Sequence, residues 1–232
     1  PRLHCLRRGN GQPVGQGETP ICAGEVGVKE RGGDMERPIL FNTPMVRAIL
    51  EGRKTVTRRV IRLQPGSRFI RMTESSCYPG CFAIEGTSMV IRPPCQPGDV
   101  LWVRETWDRL PISPGGHFRP NGVYYYRADG DTRPGPPAHK AWHPSIHMPK
   151  EAARIFLRVN GVRPERLREM VLADVLMEGI REAGSYEETW ALWHYTWDST
   201  IGLGERLLYG WNANPWVWVI SFERVDRPEP ST

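Results

Sequence analysis

The chain has 232 residues, of which 39% are hydrophobic and 25% charged, a composition typical of one or two globular domains. Neither a run of about 18 apolar residues nor an apolar leader over residues 1–8 is present, so the sequence predicts no membrane partner. The net charge of +5 is compatible with an anionic partner but excludes the dense basic stripe of a dedicated duplex binder. The five cysteines, an odd number in a chain of this size, predict free thiols and a cytoplasmic location.

Composition changes abruptly at Met35. Residues 1–34 hold eight of the 24 glycines and no apolar periodicity, which predicts a flexible N-terminal arm. We expect one folded domain over residues 35–226, followed by a short C-terminal tail over residues 227–232.

The first regular elements are predicted just after this change. Thr43 is expected to cap a short helix with Pro44 in its first turn, and Gly52 is expected to end it. The β-branched residues that follow predict a strand over 53–60. Further strands are predicted over 89–92, 100–106, 123–127, 154–162 and 216–224.

Helices are predicted mainly in the last third of the chain, over 164–170, 173–178 and 185–201. Ser185 and Glu188 have the spacing of a capping box at the start of the longest helix. Five large apolar residues then recur at helical spacing: Tyr186, Trp190, Trp193, Trp197 and Ile201. We interpret them as a stripe packed against a sheet, with the alternative that one tryptophan lines a base-stacking cleft.

The segment over residues 52–59 carries the most specific motif. It resembles the signature of ASCH domains, which belong to the PUA-like superfamily: Gly52, Lys54 and Arg59 match, and Thr57 stands where glutamate is usual. With Thr57 the segment is similar to that of the ASCH enzymes that hydrolyse N4-acetylcytidine. The resemblance implies an α+β fold, a PUA-like mixed β-barrel with flanking helices.

Residues 37–225 also resemble a group of ASCH-related proteins from phages and prophages. The resemblance rests on segments 37–41, 102–107, 126–129 and 144–149. It indicates a family more firmly than an activity, because ASCH proteins include amide hydrolases, ribonucleases and RNA-binding modules.

The resemblance implies a catalytic group of Lys54, Thr57 and Glu178. Thr57 would attack the substrate or hold water, and Lys54, its pKa lowered by burial, would take the proton. Glu178 would fix the lysine or protonate the leaving group. Because residues three apart in a regular strand face opposite sides, a bend after Gly52 must bring Lys54 and Thr57 to one cleft.

Cationic and aromatic side chains on the predicted strands suit a nucleobase and its phosphate. The alternative for the arginines is an ion pair, for example between Arg104 and Glu105 or Asp129. The residues expected to bind substrate are Arg58, Arg59, Trp102, Arg104, Glu105, Tyr126 and His147.

Neither a metal nor another cofactor is predicted. Cys77 and Cys81 lack the two-residue spacing of a zinc knuckle. Prolines interrupt the helix that would be needed to align His139, His143 and His147.

The sequence therefore predicts a nucleoside- or RNA-directed hydrolase acting on the amide of an acetylated cytidine. Two alternatives stay open: a ribonuclease acting on single-stranded RNA, and a non-catalytic module that binds RNA or a modified nucleotide. The expected partner is a nucleoside or single-stranded RNA, with no obligate protein partner.

Overall fold

The computed structural model describes residues 3–4, 35–62, 71–87, 89–112, 115, 117–134 and 141–229. Apart from residues 3–4, the predicted N-terminal arm lies outside the described residues, as do residues 230–232 of the predicted tail. The chain divides into two compact units. The first unit is Pro1–Gly33 with Arg62–Gln96, and the second unit is Asp34–Ile61 with Pro97–Thr232.

The described strands are β1 (Leu3–His4), β2 (Glu36–Leu40), β3 (Val56–Val60), β4 (Met72–Glu74), β5 (Phe82–Ile84), β6 (Met89–Ile91), β7 (Val100–Arg104), β8 (Trp107–Ile112), β9 (Phe118–Tyr126), β10 (Phe156–Arg166) and β11 (Trp216–Val225). The helices are α1 (Thr43–Leu50), α2 (Leu172–Met177), α3 (Tyr186–Ser199) and α4 (Arg206–Tyr209). Among the described residues, no helix combines the length and the apolar character needed to cross a bilayer.

The first unit contains a four-stranded antiparallel sheet in the order β1-β6-β5-β4. Strand β6 agrees with the predicted strand over 89–92, whereas β4 and β5 were not predicted. Cys81 and Cys95 are buried and form no disulfide, but Cys77 is disulfide-bonded. The expectation of free thiols is therefore wrong for Cys77, and the cysteine count no longer supports the predicted location.

The second unit is built on a five-stranded sheet in the order β2-β7-β10-β11-β3. Strand β2 is parallel to β7, and the other pairs are antiparallel. The long strands β10 and β11 form the centre, with a bulge between Val159 and Gly161. A separate two-stranded ribbon pairs β8 with β9.

This sheet stays open along the described residues, because its edge strands β2 and β3 are not paired with each other. Pro38 in β2 cannot donate a backbone hydrogen bond, which suits an edge strand. A side chain spans the gap instead: the Arg59 guanidinium donates to the Leu40 carbonyl at 2.6 Å. The mixed α+β class is thus confirmed, and the strands of the described residues do not close into the predicted β-barrel.

Helix α1 begins one residue earlier than the capping prediction. Asn42 is the cap, and its Oδ1 accepts a hydrogen bond from the Met45 amide at 3.0 Å, so the prediction of Thr43 is wrong. Pro44 does lie in the first turn, where its missing N–H costs nothing. Gly52 follows the helix with a φ of 76°, as its predicted role requires.

The helix predicted over 164–170 is wrong. Residues 164–166 continue β10, where they pair with β11, and only Leu167–Glu169 forms a 3-10 turn. In the strand, these residues pair with β11, and a short helix at this position would lose that pairing. Pairing with a distant strand therefore overrides the local sequence pattern that predicted a helix.

Helix α3 packs its aromatic stripe much as predicted. Trp193 and Trp197 are buried among residues of α2, β3 and β11, while Tyr186 at the start of the helix is 58% exposed. The Ser185 hydroxyl accepts a hydrogen bond from the Glu188 amide at 3.1 Å, which confirms Ser185 as the cap.

Replacing the cap of α3 should weaken this packing. We expect Ser185→Ala to lower the free energy of unfolding by about 1 kcal/mol, because the Glu188 amide loses its acceptor. Ser185→Asp, which keeps an acceptor, is the matched control and should unfold like the parent protein. Urea denaturation measures both, and equal midpoints for the two variants would contradict the cap assignment.

Candidate functional site

The turn between α1 and β3 positions Lys54. The Arg53 and Lys54 amides both donate to the Ala48 carbonyl, at 2.9 and 3.1 Å, and the strand begins only at Val56. Lys54 therefore precedes the regular strand, and its side chain lines the same pocket as Thr57. The bend that the sequence required after Gly52 is confirmed.

The end of α2 positions Glu178. Glu178 is the C-terminal cap of this helix, and Gly179 turns the chain with a φ of 91°. The Thr55 amide donates to the Met177 carbonyl at 2.9 Å, and Lys54 and Glu178 form an antiparallel bridge. Two segments more than 120 residues apart in sequence are thus fixed backbone to backbone.

The Lys54 ammonium is 3% exposed and uses all three of its donors. It donates to the Glu178 carboxylate at 2.6 Å, to the Glu178 carbonyl at 2.9 Å and to the Val56 carbonyl at 2.8 Å. Burial lowers the pKa of Lys54, and the carboxylate of Glu178 acts in the opposite direction. This lysine is therefore closer to losing a proton than an exposed one.

Arg58 completes a buried ionic network around Glu178. Its guanidinium lies 3.3 Å from the Glu178 carboxylate, 3.0 Å from that of Glu165 and 3.4 Å from that of Asp174. The Arg58 side chain is fully buried. The structure therefore engages the terminal nitrogens of Arg58 with carboxylates of the protein rather than leaving them open for substrate.

Thr57 is a buried residue whose hydroxyl is not used by the rest of the described protein. Among the described residues its hydroxyl has no hydrogen-bond partner, although Thr57 lines the pocket. A hydroxyl donates and accepts a hydrogen bond, so an unpartnered one beside a buried lysine is available to a ligand or a water.

The pocket around these groups has a volume of about 90 Å³, and its empty space reaches about 490 Å³ when the open mouth is included. Both edge strands of the open sheet contribute to it, and α3 supplies the opposite wall. Its other described lining residues are Leu40, Phe41, Asn42, Met45, Arg59, Trp193, Thr196, Trp197 and Thr200.

Two buried N–H groups on the pocket residues lack an acceptor within the described part of the chain. They are the Nε of Arg58 and the Nε1 of Trp193. A buried donor left unpaired costs about 1–3 kcal/mol.

Arg59 and Phe41 form the side of the pocket toward β2. The Arg59 guanidinium lies 5.1 Å from the centre of the Phe41 ring, and the Lys54 ammonium lies 5.6 Å from it. Burial lowers the pKa of Arg59 from its ordinary value, although arginine remains charged. The pocket therefore combines an aromatic face with cationic groups.

Five predicted substrate-binding residues lie outside this pocket's described lining: Trp102, Arg104, Glu105, Tyr126 and His147. The Arg104 guanidinium lies 5.5 Å from the Trp102 ring and donates to the Met148 carbonyl at 3.1 Å, so its predicted pairing with acids is wrong. His147 is exposed in a 3-10 turn. The structure does not bring these residues to Lys54.

Glu105 and Tyr126 instead surround Arg154. The Arg154 guanidinium binds the Glu105 carboxylate at 2.9 and 3.1 Å and that of Asp129 at 2.7 Å, and it lies 3.9 Å from the Tyr126 ring. Burial raises the pKa of Glu105, and Arg154 opposes this shift. This cluster is satisfied internally and has the character of a structural brace.

Sequence reasoning missed the aromatic wall of the pocket. Phe41 follows an apolar strand immediately before a helix, where a large side chain projects from the sheet edge. Trp193 and Trp197 were predicted as part of a packing stripe, which their burial confirms, and both residues also line the pocket.

Comparison with protein-family models, curated proteins and solved structures finds no match for this chain.

The close approach at Gly179 gives a test of how the site is held. A Cβ there would lie 2.6 Å from the Ala48 Cβ and 2.9 Å from the Lys54 Cβ. We expect Gly179→Ala to lower the free energy of unfolding by about 1–3 kcal/mol more than Gly130→Ala. Gly130 has nearly the same φ, 90°, but no atom within 4 Å of its added Cβ, so it reports backbone strain alone. Equal losses in urea denaturation would show that the contact with Lys54 is not tight.

Proposed function

We propose that the second unit is a PUA-like domain of the ASCH type that hydrolyses the exocyclic amide of an acetylated cytidine. The observation that carries the proposal is the unpartnered Thr57 hydroxyl in a pocket with a buried lysine of lowered pKa. Amide hydrolysis needs a nucleophile, a base and a proton for the leaving amine. Thr57 and Lys54, with Glu178 beside them, supply these three roles.

Lys54 acts as a base only in its neutral form, because an ammonium group has no lone pair. Burial lowers the pKa of Lys54, so the buried ammonium loses its proton to solvent at a lower pH than an exposed lysine does. The hydrogen bond of 2.6 Å between Nζ and the Glu178 carboxylate holds the amine in place. The neutral amine then has a lone pair that accepts the Thr57 proton.

The first half-reaction transfers the acetyl group. The Thr57 Oγ1 forms a bond to the acetyl carbon, the bond from that carbon to the exocyclic nitrogen breaks, and Lys54 passes the Thr57 proton to the leaving nitrogen. Cytidine leaves with its amino group restored. The acetyl ester on Thr57 is then attacked by water, which releases acetate and returns the proton to Thr57.

The walls of the pocket support a planar substrate. Phe41, Trp193 and Trp197 offer aromatic surface suited to a base.

Removal of the Thr57 hydroxyl should abolish the reaction. We expect Thr57→Val, which keeps the size and shape of the side chain, to lower acetate release from N4-acetylcytidine by at least about 100-fold. Thr57→Ser keeps a hydroxyl and should retain turnover, and Lys54→Ala should lose it. Chromatography of cytidine measures all three. Full turnover by Thr57→Val would remove the nucleophile assignment, and cleavage of single-stranded RNA without acetate release would favour the ribonuclease alternative.

The pH dependence tests the role of Lys54. Because burial lowers its pKa below the ordinary value of 10.5, kcat/KM should rise with pH to a plateau, with a midpoint below 10.5. The Glu178 carboxylate stabilises the ammonium form, so Glu178→Gln should move this midpoint to lower pH while reducing the rate. A midpoint that is unchanged or higher in Glu178→Gln would show that another group titrates.

A further inference from the structure

A second pocket adjoins the first at the segment from Leu40 to Asn42. These residues line both pockets. The second pocket contains about 1070 Å³ of empty space, including its open side. Its remaining described lining consists of Thr43, Pro44, Arg47, Thr106, Arg127 and Ser145.

The lining of this pocket is cationic and rich in hydroxyl groups. Arg47 and Arg127 contribute guanidinium groups, Thr43, Thr106 and Ser145 contribute hydroxyls, and no described lining residue is acidic. Guanidinium and hydroxyl donors together are the groups that bind phosphate oxygens in proteins.

The guanidinium groups of the two arginines differ in how many hydrogen bonds they make with the protein. Arg47 is partly committed, because its Nε donates to the Ala128 carbonyl at 2.7 Å and a terminal nitrogen donates to the Arg127 carbonyl at 3.3 Å. Arg127 is exposed, and within the described residues its guanidinium makes no hydrogen bond or ion pair. Arg47 thus holds the backbone at Arg127 in place, and the guanidinium of Arg127 stays available to a ligand.

The acidic residues near Arg127 in sequence bind other arginines. Asp129 binds the Arg154 guanidinium at 2.7 Å, and Asp131 binds that of Arg133 at 2.8 Å, although Arg127 also contributes to lowering the pKa of Asp131. Arg127 therefore lines a cavity whose described lining includes no carboxylate, which is a favourable place for an anion.

We infer that the second pocket binds the phosphate of a nucleotide whose base occupies the first pocket. A nucleotide joins its base to phosphate through a single sugar, so two pockets that meet at one short segment fit its two ends. The inference rests on the proposed function for the base alone; the phosphate site follows from the second pocket itself. It makes the substrate a nucleotide, free or within a strand, rather than a nucleoside.

Binding of unacetylated probes to the full chain tests this site without any catalytic step. Titration calorimetry would compare cytidine, its 5′- and 3′-monophosphates and a cytidine trinucleotide. We expect at least one monophosphate to bind about tenfold or more tightly than cytidine, since hydrogen bonds to charged groups are strong. Added salt should reduce this advantage.

Single arginine variants show which residue gives the monophosphate its higher affinity. Arg127→Ala should abolish the advantage of the monophosphate while leaving cytidine binding unchanged, and Arg127→Glu should reverse it. Arg168→Ala removes an exposed arginine outside both described linings and is the matched control. A trinucleotide that binds more tightly than either monophosphate identifies a strand as the source of the phosphate, and the opposite order identifies a free nucleotide.

Three outcomes would overturn the site: no binding of the monophosphates, equal affinity for cytidine and both monophosphates, or an advantage that Arg127→Ala preserves. Failure of the hydrolase proposal would give a different experimental result. Acetate release would then be absent from every acetylated substrate, while the effect of phosphate and of Arg127 on affinity would persist.

Discussion

The buried ionic network of Lys54, Arg58 and Glu178 is the constraint on which the second unit's site depends. Buried charges destabilise a protein unless they are paired and hydrogen-bonded. Removing one member of the network would leave an unpaired buried charge and lower the free energy of unfolding. The network draws its members from the α1–β3 turn, from β3 and from the end of α2, while Glu165 adds the end of β10. These elements must meet for any of the charges to be satisfied, so the network ties the site to the fold and fixes Lys54 in one orientation.

The open edge of the sheet explains why the pocket lies where it does. In a closed barrel, β2 would pair with β3, and the paired backbones would fill the space that the pocket now occupies. In the described residues the two edges are linked by the Arg59 side chain, and Phe41 and Thr57 line the space between them. Helix α3 closes the far side with Trp193 and Trp197. At this position the same tryptophans form part of the core and line the pocket.

Local signals in the sequence predicted most of the second unit's elements, and the family resemblance implied that Lys54 lies close to Glu178. Pro44 and Gly52 mark helix α1 by backbone chemistry alone, and Gly52 also indicated the bend. What failed depends on distant partners: the end of β10 became strand because β11 lies beside it, and Arg104 found backbone carbonyls instead of an acid. The cation that pairs with the Glu105 and Asp129 carboxylates is Arg154, which lies 49 and 25 residues away in sequence. Spacing within a segment carries no information about such pairings.

The type of cation at the centre of the network argues for chemistry over scaffolding. The chain uses 27 arginines and four lysines, and a purely structural ion pair at this position would be served by arginine, whose planar fork binds carboxylates in two places. Arginine stays charged at any pH that a protein experiences, whereas a buried lysine releases its proton readily. At this site, Arg58 and Arg59 hold permanent charge, and Lys54 is the one cation of the described pocket lining that is able to change its charge state. That division fits the proposed role of Lys54 in proton transfer.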